Sequence, residues 1–382
     1  MKRMELGFNT SGNNQTSRRT TNAVLLGKLK NTIGSTSRKF KYCNRNSPDL
    51  NFTFNCVFNI PTIISGQYQI AVGNGAFAIT KDYGANWQIV PQFESLNLRS
   101  VAISSNGKYI LTGGLSTPLF YSNNGGKTFI QKFSSSYWFQ IKMSKSGQYQ
   151  TTIGPANSIY VSNDYGNTFN IISQSGIGGS SRFLAMSYDG KFQSITSGQS
   201  VLISNNYGQI WNQINLSGIT PTPSFLKGIS MSGNGQIQII IDGSSGYIYR
   251  SNDFGNTWNY IYTITESNID FYFTSMSESG KYILIPNYGS GGITTGGSIW
   301  VSSNYGSSFT NNIIINGQPQ SSFGVRGWYP CGVSSSGQFQ SVCDYDGTTG
   351  DGGYIYTSSD YGKSWYSRPS GGESNWWGFF IN

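Results

Sequence analysis

The chain has 382 residues, of which 37% are hydrophobic, 15% aromatic and only 11% charged, with 49 glycines. This composition describes a globular, β-rich protein, and no run of eighteen apolar residues is present to form a membrane-spanning helix. The formal net charge is +9 and histidine is absent, which excludes Ser-His-Asp and Cys-His catalysis and histidine-based metal centres.

The charge is not spread evenly. Residues 1–50 hold ten basic and two acidic side chains, leaving fifteen against fourteen for everything after them. Residues 1–57 therefore form a basic arm, and residues 58–382 a nearly neutral domain. The arm is rich in Ser, Thr and Asn, lacks the apolar core of a signal peptide, and by itself is expected to be irregular and largely disordered. Its side chains Arg18, Arg19, Lys28, Lys30, Arg38, Lys39 and Lys41 are candidate contacts to other protein subunits. A tail for nucleic acid or another polyanion, and a solvated tail, are the alternatives. Cys43 and Cys56 form one candidate pair near the arm.

Beyond the arm two motifs alternate seven times. The first is a Gly followed by Lys or Gln and usually an aromatic residue, at Gly66, Gly107, Gly147, Gly190, Gly235, Gly280 and Gly337. Apolar alternating runs flank it, so each copy reads as a β-hairpin. The second is an octapeptide of the form [S/T]-x-[D/N]-x-G-x-x-[W/F], at residues 80–87, 122–129, 162–169, 204–211, 251–258, 302–309 and 358–365. Its glycines are 42, 40, 42, 47, 51 and 56 residues apart, the spacing of a four-stranded propeller blade. The fold class is therefore all-β: a seven-bladed β-propeller of four-stranded antiparallel blades carrying an irregular basic N-terminal arm. Residues 376–382 align with the inner-strand segments but have no hairpin of their own. They are expected to join the first blade and close the ring, removing an open sheet edge.

Within the octapeptide, Asp82, Asn124, Asp164, Asn206, Asp253, Asn304 and Asp360 read as turn clamps that accept backbone N–H groups. The Gly supplies a positive φ, and the last aromatic packs between sheets. Hairpins and octapeptides share one edge, so ligand chemistry belongs to the opposite edge, the mouth. Inner strands begin there near Arg99, Arg182, Lys227, Tyr272 and Tyr329, with Trp138, Arg326, Trp328, Trp376 and Trp377 close by. Aromatic faces beside cations suit sugars and acidic ligands, and equally suit interior packing. The long link of the seventh blade carries Asp344, Asp346 and Asp351, three carboxylates that could hold Ca²⁺ or line a plain solvated turn. No other cofactor is expected. Cys331 and Cys343 each lie six residues from Gly337, and so could face one another as a disulfide or stand as two buried thiols.

The octapeptides in phase with the hairpins resemble the Asp-box, or BNR, repeat of sialidases, sortilin-type propellers and photosystem II assembly-factor propellers. The resemblance covers about residues 58–382 and implies that the boxes lie away from the ligand-binding mouth. The Phe-Arg-Ile-Pro motif of sialidases corresponds to Phe58, Asn59, Ile60 and Pro61, so its arginine is replaced by an uncharged residue. The carboxylates left in the ring, Glu94, Asp242, Glu266, Asp270, Asp344, Asp346, Asp351 and Glu373, form no recognisable pair for glycoside hydrolysis. The leading expectation is a non-enzymatic structural or interaction propeller, docked through its arm and open to a glycan at its mouth. The rival is a sialidase-like or other carbohydrate-active hydrolase. The Asn-, Ile-, Tyr- and Lys-heavy composition is similar to that of propeller proteins of large DNA viruses, which would imply a virion or other extracellular-facing assembly.

Overall fold

The computed structural model describes residues 43–46, 53–56, 66–173, 183–290, 296–322, 326–345 and 353–381. The chain divides into two units, residues 1–63 and 64–382. In the first, Cys43–Asn46 pairs antiparallel with Thr53–Cys56, in a register that sets Cys43 opposite Cys56. The candidate arm contacts from Arg18 to Lys41 lie outside the described residues.

The second unit is a ring of seven antiparallel blades, met in chain order as inner, second, third and outer strand. Blade two shows the pattern: Leu98–Ile103, Ile110–Gly114, Thr117–Ser122 and Ile130–Ser136. Blades three, four and five repeat it, from Ile141–Met143, Leu184–Met186 and Leu226–Met231. Burial follows position in the blade. In blade five every residue of Leu226–Met231 and Gln238–Asp242 is buried, whereas in blade four the outer strand Asn212–Asn215 is largely exposed. Central strands are covered on both faces by neighbouring blades, so they carry nearly continuous apolar runs; outer strands face water and turn polar.

Seven apolar clusters, one at each blade-to-blade contact, make the core of the described residues. The closure is the expected one. Trp376–Ile381 becomes the inner strand of blade one, pairing with Gln69–Gly73 from Gln69↔Ile381 to Gly73↔Trp376. It buries Trp376, Phe379 and Ile381 against Cys343 and Ile355 of blade seven.

Blade six departs from the uniform pattern. After Ser275–Met276, Ile283–Pro286 and Ile299–Ser302, its fourth strand is reduced to the single bridge Val301↔Thr310. The chain then crosses to blade seven, where Ile314–Ile315 pairs parallel with the outer strand Ser364–Ser367 and Gln318–Pro319 extends the sheet by one more strand. The Gln320 side chain takes over part of the missing ladder by accepting the Ile299 N–H at 2.9 Å. Among the described residues no helix is long and apolar enough to cross a membrane.

Cys331 and Cys343 are both buried free thiols. Their hairpin carries a bulge at Pro330, so Cys331 opposes Val342 and Cys343 opposes Tyr329. Neighbouring strand positions point to opposite sheet faces. Accordingly Cys331 packs toward blade six and Cys343 toward blade one.

Candidate functional site

The seven octapeptides close alike. In every box the third residue, Asp or Asn, accepts the N–H of the seventh residue at 2.9 or 3.0 Å. The hydroxyl of the first residue donates to the same oxygen at 2.6–3.0 Å. For the aspartates Asp82, Asp164, Asp253 and Asp360, partial burial pushes the carboxyl up, but these hydrogen bonds outweigh it and hold all four below the ordinary value near 3.8. The fourth residue also adopts a left-handed backbone: Tyr83, Tyr165, Tyr207, Phe254, Tyr305 and Tyr361 have φ of 62–66°. Stacking offsets that strain. Tyr207 lies 4.3 Å from Tyr149 of the preceding blade, Phe254 4.4 Å from Phe192, and Tyr83 4.8 Å from Phe339, the last contact spanning the ring closure.

Each box is tied to its own hairpin, its fourth-residue N–H reaching a hairpin carbonyl at 2.9–3.3 Å. Successive hairpins are then joined around the axis: the N–H groups of Ser105, Lys145, Tyr188, Gly233 and Glu278 donate to the carbonyls of Lys145, Tyr188, Gly233, Glu278 and Ser335 at 2.8–2.9 Å. The box-bearing edge is thus a hydrogen-bonded floor.

The opposite edge holds a cavity of about 240 Å³ walled by Arg99, Tyr137, Trp138, Phe139, Gln140, Phe183, Tyr272, Phe273, Tyr329 and Trp377. The Arg99 guanidinium lies 3.7 Å over the Trp377 ring, and Tyr329 packs edge-on against Trp377 at 5.2 Å and against Tyr272 at 5.1 Å. Burial lowers the Arg99 pKa and pushes Tyr272 up to about 12; burial also drives Tyr329 upward. The upward shifts keep both tyrosines uncharged at neutral pH.

The mouth therefore brings together Arg99, Trp138, Tyr272, Tyr329 and Trp377. Three expected tryptophans belong wholly or mainly to packing. Trp138 is 1% exposed and donates its indole N–H to Thr117 O, Trp376 is 3% exposed and donates to Gly353 O, and Trp328 is 2% exposed against Tyr356. Two expected cations are neutralised: Lys227 pairs with Asp270 at 2.5 Å over the Tyr272 ring, and Arg326 pairs with Asp344 at 2.5 Å. Arg182, Asp346 and Asp351 lie outside the described residues. Asp344 also accepts the Tyr354 N–H, and burial raises its pKa despite Arg326. Among the described residues no cluster of three acidic or Cys side chains could hold a metal ion.

Tyr137, Phe183 and Phe273 are wall residues that sequence reasoning missed. Phe183 and Phe273 follow the aligned inner-strand starts Arg182 and Tyr272, and Tyr137 precedes Trp138, so extending those readings by one position would have found them. Five of the candidate carboxylates are engaged in the scaffold, Asp270 and Asp344 through the ion pairs above and three through hydrogen bonds. Asp242 accepts four backbone N–H groups, from Ser224, Phe225, Ser244 and Ser245. Glu266 holds Asn287 and the Trp300 indole, and Glu373 accepts the Tyr354 hydroxyl.

Residues 355–367, the last box with its flanking strands, match the family model of the BNR-Asp box repeat. No curated protein matches the chain. Among solved structures, YCF48 bound to D1 peptide is similar with a TM-score of 0.51 at 10% identity, over 82% of this chain and 89% of that one. YCF48 from Cyanidioschyzon merolae scores 0.53 at 15% identity, over 72% and 86%. A functionally unknown protein from Desulfotomaculum acetoxidans scores 0.57 at 11% identity, over 82% and 98%. At these identities the likeness is one of fold.

Proposed function

We propose that this Asp-box propeller is a non-enzymatic binding module whose mouth receives an anionic group carried beside an apolar or aromatic side chain of a protein partner. The observation that carries the reading is Arg99. Its guanidinium is stacked on Trp377 inside an aromatic wall, and it has no ion-pair partner among the described residues, whereas Lys227 and Arg326 each have one. A carboxylate entering the cavity would meet a weakly hydrated, bidentate donor in partly dehydrated surroundings, where a charge-assisted hydrogen bond is strong. The rings would cover the apolar part of the same residue. That the similar fold of YCF48 has been captured with a D1 peptide supports a polypeptide as the class of ligand.

Residues 1–57 are proposed as a second contact, to other subunits of an assembly; the support is the concentration of positive charge in residues 1–50. The mouth is tested with a peptide array and a glycan array probed by the same protein. Peptides with an acidic residue or free C-terminal carboxylate next to an aromatic residue should be enriched. Arg99→Ala and Trp377→Ala should each weaken binding at least tenfold without lowering the melting temperature. Enrichment of glycans alone, or release of reducing sugar, would replace this reading with the carbohydrate one.

A further inference from the structure

Between the mouth and the floor the inner strands enclose a second cavity of about 100 Å³, whose lining includes Lys142, Met143, Ser230, Met231, Thr274 and Phe380. The floor beneath it is closed by the hairpin ring and by an ion pair between hairpins of blades three and six, Lys145 with Glu278 at 3.2 Å. The Lys145 ammonium also covers the Tyr188 ring at 3.7 Å.

Lys142 differs from Lys145. It enters from blade three and lies 5.9 Å from the Phe380 ring of the closing strand. No carboxylate lines the cavity, and Lys142 has no ion pair among the described residues. An ammonium group facing a cavity lined largely by methionine, isoleucine and phenylalanine side chains, without counter-charge, is costly. Burial accordingly lowers its pKa. The charge is relieved either by loss of the proton or by entry of an anion. The cavity lining from blades five and six adds the Ser230 and Thr274 hydroxyls, which bond each other at 3.2 Å and leave one O–H to donate. With roughly 30 Å³ per water molecule, the space accommodates one small ion with a water or two.

We propose that this channel binds one small monovalent anion of the halide or formate class, with Lys142 as its counter-charge and the Ser230–Thr274 hydroxyl pair elsewhere in its lining. The site would tie blade three to blades five and six, and it is independent of the mouth. Thermal unfolding of the full chain at constant ionic strength, exchanging sodium gluconate for sodium bromide, tests it. For a dissociation constant of about 10 mM, raising bromide from 10 to 300 mM should lift the melting temperature by roughly 2–3 °C. The response should vanish in Lys142→Met and persist in Lys81→Met, which removes an exposed lysine outside the cavity lining. Crystals grown in bromide should show an anomalous peak in hydrogen-bond range of Lys142 Nζ, a result that stands even if Lys142→Met fails to fold. An equal bromide response in Lys142→Met and wild type, or a channel without bromide at 300 mM, would overturn the assignment.

Discussion

Removing the closing strand should unfold the ring as a whole. Trp376–Ile381 supplies the inner strand of blade one, and without it Gln69–Gly73 becomes an open edge and the blade-seven contact loses Trp376, Phe379 and Ile381, exposed by 3%, 7% and 7%. Burial of three such side chains is worth about 2–3 kcal/mol each, or roughly 6–9 kcal/mol before the backbone pairs are counted. A domain's whole stability is about 5–15 kcal/mol. A chain ending at residue 375 should therefore show no cooperative thermal transition by near-UV circular dichroism. Phe379→Ala offers the graded version: its ring lies 5.8 Å from Trp87 across the closure. A loss of about 3–5 kcal/mol for a buried Phe should lower the melting temperature of a ring this large by roughly 4–8 °C. A truncated chain that unfolds cooperatively within a few degrees of the full chain would refute the closure argument.

Because Asp82, Asp164, Asp253 and Asp360 are held below the ordinary value near 3.8, their contribution is present above that pH and is lost as pH falls through their lowered folded values. A variant with all four changed to Asn, the residue three other boxes already use, should unfold less steeply in acid below about pH 4; an unchanged acid titration would count against the clamp role. At Tyr207, φ 62°, Gly accepts the backbone and Ala does not. Tyr207→Ala should thus be about 1 kcal/mol less stable in urea than Tyr207→Gly, and equal stability would remove strain from the account. Deleting residues 1–57 should leave the propeller's melting temperature within about 2 °C while abolishing its incorporation into an assembly. Retained incorporation would end the arm proposal.

What could be read from the chain alone is what closes within a few residues. In each box the Asp or Asn bonds an N–H four positions on, and in each hairpin a positive-φ Gly turns the strand, so repetition exposed both. The closing strand was legible too, because residues 376–381 read as an inner strand lacking its hairpin. The mouth was legible only as a list. Trp376 and Trp377 are adjacent, yet strand alternation sends one into the blade-seven contact and the other to Arg99. Periodicity says that they differ, and only the neighbouring blade says which is which.

The sequence by itself thus determined the number of blades, the edge that carries the boxes and the strand that closes the ring, since each depends on contacts short in sequence or on a repeat. Tertiary structure alone decided which charges are free. Lys227 meets Asp270 across 43 residues, Arg326 meets Asp344 across the inner hairpin of blade seven, and Lys142 and Arg99 face cavities whose walls come from several blades. It also decided that the bulge at Pro330 separates the two thiols and that blade six lends its outer strand to blade seven. Pairing and burial are properties of the assembled ring, where side chains far apart along the chain share one low-dielectric space and must satisfy one another there.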